Sequence, residues 1–296
     1  MEIKHFNTKE VKTVRDLTNQ FNNLGFQAKK LAQATNIIEE MFNDKDCTVF
    51  LGLAGAMVPA GMKQIIIDLI NNNQIDVLVT TGANLTHDLI EALGHKHVQG
   101  SEKADDKELN KQEINRIYNV YMENKVYKDL EDFFNKHFKE LSQLTSTSEF
   151  LNLLGKLAPK DSILKAAYNQ NIPIFCPALS DSGIGLMFLD KKINLNEFND
   201  LNKIVNISWT SKRKGVIYIG GGVPKNYIQQ SMQFTKGADY AVQITMDRPE
   251  IGGSSGAELK EGISWNKLQK TGKYVNLTCD ATIALPIIHT SIKQKL

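Results

Sequence analysis

Little in this chain marks a secreted, membrane or nucleic-acid-binding protein. Only three residues are cysteine, Cys47, Cys176 and Cys279. They stand in or beside apolar runs without metal-ligand spacing, which argues against a disulfide framework and for thiols in a reducing compartment. No apolar run approaches the ~18 residues that a membrane-spanning helix needs, and the N-terminal stretch "MEIKHFNTKE" is polar, so a cytoplasmic protein is expected. A charge of one sign is missing too. With 35 Lys and Arg against 33 Asp and Glu, the formal net charge of +2 is too small for a surface that tracks nucleic-acid phosphates or an anionic membrane. No Pro/Gly/Ser-rich linker and no repeat with a period of roughly 20–50 residues interrupts the chain, so residues 1–296 are expected to form one domain. The histidines do not make a metal site: His95 and His97 lack a completing Cys or carboxylate pattern, and His5, His137 and His289 are isolated.

What the chain has is a repeated pattern. Short apolar runs of strand length each close on a small or polar cluster and lead into a helix-like segment. "CTVFLGL" runs into "AGAMVPAG", "IDVLVTT" into "GANLTHD", and "IPIFCPA" into "LSDSG". "GVIYIGGG" runs into "VPKN", "ADYAVQI" into "TMDRPEIGGSSG", and "YVNLTC" into "DAT". These six units predict an α/β fold, a Rossmann-like, doubly wound, mostly parallel six-stranded sheet, because near-continuous Val/Ile/Leu strands are what burial on both faces requires. The ligand crevice of such a sheet lies beyond the carboxyl ends of its strands, where the small and polar clusters fall. A helical insertion is expected over about residues 105–169, where "KELNKQEINRIYNVY" and "VYKDLEDFFNKHFKELSQL" place apolar residues at helical spacing with charges between them. It reads as a solvated cover or a subunit contact, without chemistry.

Several residues are candidates for a site. "GGGV", Gly220 to Val223, follows a strong strand and precedes Pro224, which suits a first helical turn, so backbone amides there can approach a diphosphate; a tight turn explains the glycines equally well. Asp181 and Asp280 each follow a buried-looking strand, where a carboxylate binds a ribose hydroxyl or, more often, caps the next helix. Pro286 should kink or restrict the helix after Asp280. His87 is the histidine placed in an edge loop, with a surface role as open as a catalytic one. In "IGGSSGAELKEGISWNKLQK", Glu261, Trp265 and Lys267 stand close together. A nucleophilic lysine needs a neutral fraction, which burial beside apolar surface favours, and Trp265 can supply that wall. Its ring can also face the cation of an amine, and Glu261 can pair with an ammonium group. Against this stands a solvated Lys267, a core Trp265 and a rim Glu261.

The chain resembles the deoxyhypusine synthase family from "GFQAKKLAQA" through "FLGLAGAMVPAG", "IDVLVTTGANLTHDLIEAL", "IPIFCPALSDSGIG" and "IGGGVPKNYI" to "SSGAELKEGISWNKL" and "VNLTCDATIALP". The family's E-x-x-S-W-x-K segment is matched by Glu261, Ser264, Trp265 and Lys267. The resemblance implies an NAD-dependent transfer of an aminobutyl group from spermidine, with Lys267 carrying that group as an imine. It places the cofactor on Gly55, Ala56, Met57, Thr81, Gly82, Ala83, Asp181, Gly221, Asp280 and Ala281. The substrate falls on Glu261, Trp265, Ser254, Asn226 and His87. It also implies a homotetramer of paired subunits with sites at the dimer interface.

The departures from the family pattern concern the amine-holding shell. Thr86 and His87 stand where deoxyhypusine synthases that modify the eukaryotic factor carry paired glutamates, and Leu186 stands for an aspartate. Asn226, Gln230 and Ser254 replace a histidine, an asparagine and an aspartate. Each lost carboxylate removes a charge-assisted partner worth roughly 1.5–3 kcal/mol to a buried ammonium. Three readings follow: aminobutyl transfer to a free diamine such as putrescine, giving homospermidine, or handling of a related amine such as agmatine; deoxyhypusine formation on a lysine of a translation factor; or a NAD-binding homologue without catalysis.

Overall fold

The structure, a computed structural model, describes residues 2–294. Its strands are β1 Cys47–Leu53, β2 Val77–Thr80, β3 Val98–Gln99, β4 Ile114–Ile117, β5 Val120–Glu123, β6 Ile174–Phe175, β7 Arg213–Ile219, β8 Ala238–Thr245 and β9 Leu268–Thr278. The first six helices are α1 Val14–Phe21, α2 Phe26–Asn43, α3 Lys63–Asn71, α4 Gly82–Ala92, α5 Asp106–Lys111 and α6 Val126–Leu141. They are followed by α7 Thr147–Leu157, α8 Ile163–Asn169, α9 Gly183–Leu186, α10 Glu197–Thr210, α11 Gly222–Met232 and α12 Ala281–Lys293.

The six apolar runs of the sequence all become strands of one sheet, ordered β6-β2-β1-β7-β8-β9. The pairs β1–β7, β7–β8 and β8–β9 are parallel. Counted in chain order, these six strands lie third, second, first, fourth, fifth, sixth, the doubly wound arrangement whose order reverses between β1 and β7. Val49 to Leu53 and Val216 to Ile219 are buried without interruption, which is why these strands read as continuous apolar runs rather than alternating ones.

The chain divides into two compact units. One comprises residues up to Gly55, Gln74–Val79 and Leu201 onward, and the other Ala56–Asn73 and Thr80–Asp200. In the first, α12 starts from an Asp280 cap and continues through Pro286 to Lys293, so the proline does not end the helix. Within the second, Phe134, Phe150 and Phe188 pack with ring centroids 5.3–6.3 Å apart. There too the first amides of α8 are taken by buried Asp88, whose carboxylate accepts from Ile163 N at 2.8 Å and Leu164 N at 3.0 Å. Burial raises the Asp88 carboxyl to about 7 in spite of those bonds.

The insertion is not wholly helical. After α5, residues 114–123 form the hairpin β4–β5, which with β3 makes a small sheet ordered β3-β5-β4. Ile114, Ile117 and Tyr121 recur at helical spacing, but Glu113 and Tyr118 take left-handed backbone angles, φ 57° and 53°, that break a helix and turn the chain. Arg116 then ties the hairpin to α5 through two bonds to Asp106, at 2.6 and 2.7 Å.

Candidate active site

At the strand-order reversal, within the first unit, the ladder continues past the strand ends: Ala54 N donates to Ile219 O at 2.9 Å and Gly220 N to Ile244 O at 2.8 Å. Gly55, Gly220 and Gly222 then adopt positive φ of 77°, 71° and 55°. Gly221 is buried, and a Cβ there would stand 2.3 Å from Ser255 Cα, so this glycine admits the Gly/Ser loop rather than a ligand. A Cβ at Gly222 would meet nothing within 4 Å. Helix α11 begins here without a side-chain cap, leaving first-turn amides and open space of the kind that fits an anionic group. Asp280, at the carboxyl end of β9, accepts from both the amide and the hydroxyl of Thr282 at 2.7 Å; it caps α12, whose first residue is Ala281.

In the second unit, Thr81 caps α4 by accepting from Asn84 N. A Cβ on Gly82 would lie 2.5 Å from Ser182 Cβ, so that glycine serves close packing. Ala83 and Asp181 are exposed, and Ser182 caps α9. Asn84 went unnoticed in the sequence although it is fully enclosed: its Oδ1 accepts from Met57 N at 3.0 Å and Val58 N at 3.4 Å, which fixes the loop holding Ala56 and Met57. Thr86 accepts from Ile184 N at 3.0 Å and donates to Gly82 O at 2.8 Å, so its hydroxyl is spent inside the protein.

His87 is part of a chain of side chains. Its Nδ1 lies 2.9 Å from His97 Nε2, His97 Nδ1 lies 2.8 Å from Glu91 Oε1, and Lys63 pairs with the other oxygen of Glu91. Burial, aided by His97, pushes the His87 imidazole down to about 4. The Glu91 carboxyl is also held low: burial alone would raise it, but the bonds from His97 and Lys63 win. Residues 87 and 91 share a helical face at i, i+4, but nothing in the sequence signals that His97 returns to meet them.

The segment leading to Lys267 lies entirely in the first unit. After β8 the Gly/Ser loop occupies the carboxyl edge of the sheet. A parallel connection must return to the amino edge before the next strand starts, and Lys267 is reached only at that point. Ala238 N donates to Lys267 O at 3.1 Å, and Ala238 is level with Leu268 in the β8–β9 register. The Lys267 backbone thus stands at the amino end of β9, and Gly55, Gly221 and Asp280 stand at the carboxyl edge. A 3-10 turn, Leu259–Ile263, carries exposed Glu261, and Ser264 Oγ donates to Glu261 O at 2.8 Å. Asn266 takes φ 57°, and Lys267 N closes back on Gly262 O at 2.8 Å.

Lys267 is half-buried with its Nζ 5.5 Å from the centroid of the Trp265 ring. Trp265 itself is 59% exposed, so it is neither core nor a closed wall but a projecting aromatic face. Asn226, Gln230 and Leu186 are exposed, and Ser254 Oγ points to Gly222 O at 3.5 Å. Under the Gly/Ser loop lies a residue that sequence reasoning did not single out. Lys225 is 1% exposed, and burial lowers its ammonium to about 8, with Glu261 opposing that shift and Lys267 adding to it.

Among the described residues no helix is long and apolar enough to cross a membrane. The family model for deoxyhypusine synthase matches residues 16–292. "Probable deoxyhypusine synthase 1" of Methanosarcina acetivorans is 46% identical, over 96% of this chain and 92% of that one. The protein of the same name from Archaeoglobus fulgidus is 43% identical, over 95% and 94%. A solved structure assigned to deoxyhypusine synthase from Entamoeba histolytica superposes with a TM-score of 0.66 at 21% identity, covering 98% of this chain and 96% of that one, and so shares the fold. The chain belongs to the deoxyhypusine synthase family.

Proposed function

We propose that this protein is an NAD-dependent transferase that moves an aminobutyl group from a polyamine, through an imine on Lys267, to an acceptor amine. The observation that carries the reading is the arrangement Glu261-x-x-Ser264-Trp265-x-Lys267, in which the lysine amine lies over an indole face. The aromatic face attracts an ammonium or iminium group while Glu261 supplies the opposite charge. NAD, when bound, supplies an acceptor for hydride from the carbon beside the substrate nitrogen and returns that hydride at the end. The uncapped amino end of α11 with Gly222 would hold its diphosphate, and Gly55 follows β1 at that edge. Asp280 offers a carboxylate at the same edge. Ala56, Met57, Thr81, Gly82, Ala83, Asp181, Gly221 and Ala281 enter as cofactor residues through the family resemblance alone.

Lys267 then acts as the carrier. Its amine adds to the carbon of the oxidised substrate, the C–N bond to the departing diamine breaks, and the aminobutyl group stays on Nζ as an imine. An acceptor amine adds to that carbon and frees Lys267. By the family resemblance the protein is a homotetramer in which paired subunits complete one another's sites.

The similarity to archaeal deoxyhypusine synthases favours, through the family resemblance, a lysine of a translation factor as the acceptor. A second reading, a free diamine such as putrescine, is favoured by the thinned acidic shell: Thr86 is committed to Ile184 and Gly82, His87 to His97, and Ser254 carries no charge.

The test is to incubate the protein with NAD and, in turn, spermidine, putrescine or agmatine, reduce with borohydride, and locate adducts by mass spectrometry. A four-carbon adduct on Lys267 is expected with at least one amine and none in Lys267→Ala. Absence of any adduct under conditions where NAD binds would favour a NAD-binding homologue without catalysis. Passage of the adduct to putrescine or to a translation factor separates the two acceptors.

A further inference from the structure

Five backbone groups at the carboxyl edge of the first unit are held by three side chains with no assigned role. Lys225 Nζ donates to Gln243 Oε1 at 2.9 Å, Ser254 O at 2.9 Å and Ala257 O at 2.6 Å. Gln243, 0% exposed, donates from Nε2 to Ser255 O at 2.8 Å and Gly220 O at 3.2 Å. Its Oε1 also accepts from Asn276 Nδ2 at 3.1 Å, and Asn276 Oδ1 accepts from Leu259 N at 3.2 Å. These bonds account for all three ammonium hydrogens, both hydrogens and both lone pairs of the glutamine amide, and the first amide of the 3-10 turn that leads to Glu261.

Two alternatives fail on this geometry. A second nucleophile needs a free lone pair, and Lys225 Nζ, donating in three bonds as an ammonium, has none. An anion site needs an open face, and the ammonium is enclosed by carbonyl oxygens. What remains is a clamp. The residues come from α11, β8 and β9, three elements packed in one unit, and they grip the loop at 254, 255, 257 and 259. Beyond Leu259 the chain is already fixed locally, by Ser264 on Glu261 O, by Lys267 N on Gly262 O and by the β8 pairing of Lys267 O. A buried cation held only by neutral acceptors is costly unless every bond is made, so loss of one partner releases the loop rather than shifting it slightly.

We propose that Lys225, Gln243 and Asn276 are positioning residues which fix segment 254–267 and thereby the place of the Lys267 amine. The inference rests on the reading of Lys267 as the carrier.

The test uses the full chain and three variants, Lys225→Met, Gln243→Met and the milder Asn276→Ala. Lys214→Met, a change of another buried lysine at the amino end of β7, is the control. Two readouts are taken: hydrogen exchange of amides in 255–268, which needs no cofactor, and reaction with NAD and spermidine, following NADH formation and the Lys267 adduct separately. Expected are faster exchange in that segment and an adduct yield reduced by roughly 10- to 100-fold, the scale of an ångström of misplacement. In Asn276→Ala, whose asparagine bonds neither Gly220 nor α11, NADH formation and the KM for spermidine should stay within about twofold, because a residue acting through Lys267 lowers kcat alone. Unchanged exchange, or faster exchange with an undiminished adduct, overturns the proposal. If a methionine variant does not fold, Asn276→Ala decides. A wild-type protein that makes no adduct sinks the Lys267 reading, and the clamp then stands or falls by exchange alone.

Discussion

His87 and Asp88 are neighbours on α4 whose titrations pull stability in opposite directions. His87 is held down at about 4, so between about pH 4 and 6.5 the unfolded chain binds the extra proton, and stability rises with pH across that window. Asp88 is raised to about 7, so between about pH 4 and 7 the folded state binds the extra proton, and stability falls as pH rises. Substituting one at a time separates them. His87→Asn should flatten the acid-side loss of stability between pH 6.5 and 4, whereas Asp88→Asn should remove the decline toward pH 7, both read from urea midpoints at a series of pH values. A His87→Asn protein that keeps the full wild-type slope would show that the histidine pair is not enclosed. Such pairs also mark the limit of what a sequence reveals. The Glu261, Ser264, Trp265 and Lys267 pattern was legible because its members follow one another along the chain. Lys225, Gln243, Asn276 and Asn84 were not, because each is an ordinary polar residue until the fold sets it against backbone groups from elsewhere.

Elements were legible where burial is two-sided. All six main strands were visible as apolar runs because helices cover both faces, and the small clusters after them follow from the need for loops at one edge. The hairpin β4–β5 was missed because its apolar residues, at spacings of three and four, mimic a helical face, while the deciding feature, left-handed backbone at Glu113 and Tyr118, has no simple residue signature. Helix α6 was read as a cover without chemistry, and its packing shows what it does. Phe134 is fully buried and meets Phe150 and Phe188, so Phe134→Ala should lower stability by about 3–5 kcal/mol, through lost apolar burial and the cavity left behind. The measurement is the urea midpoint with an unchanged m-value. A loss below about 1 kcal/mol would mean that the aromatic cluster does not hold α6 in place.

For the molecule as a whole, the proposed reaction needs a glycine edge and a lysine that belong either to one chain or to two. The glycine edge at Gly55 and Gly220 to Gly222 lies at the carboxyl end of the sheet and the Lys267 backbone at the amino end of β9, while the Lys267 ammonium acts on that of Lys225, three residues after Gly222 on α11. A site within one chain and a site completed by a second copy are separable without a structure of the assembly. Lys267→Ala removes the proposed carrier. Gly222→Asp keeps a residue that tolerates the left-handed backbone found there and sets a carboxylate at the amino end of α11, where it repels a diphosphate. Each variant alone should form no adduct on an intact carrier. If sites are shared in pairs, random mixing and reassembly of the two variants gives half mixed pairs, each with one undamaged site, and so restores activity to about a quarter of the wild-type value. If each site lies within one chain, mixing restores nothing, because every site still carries one of the two lesions. An inactive mixture whose parents each fold normally and reassemble into mixed pairs would therefore refute the shared site.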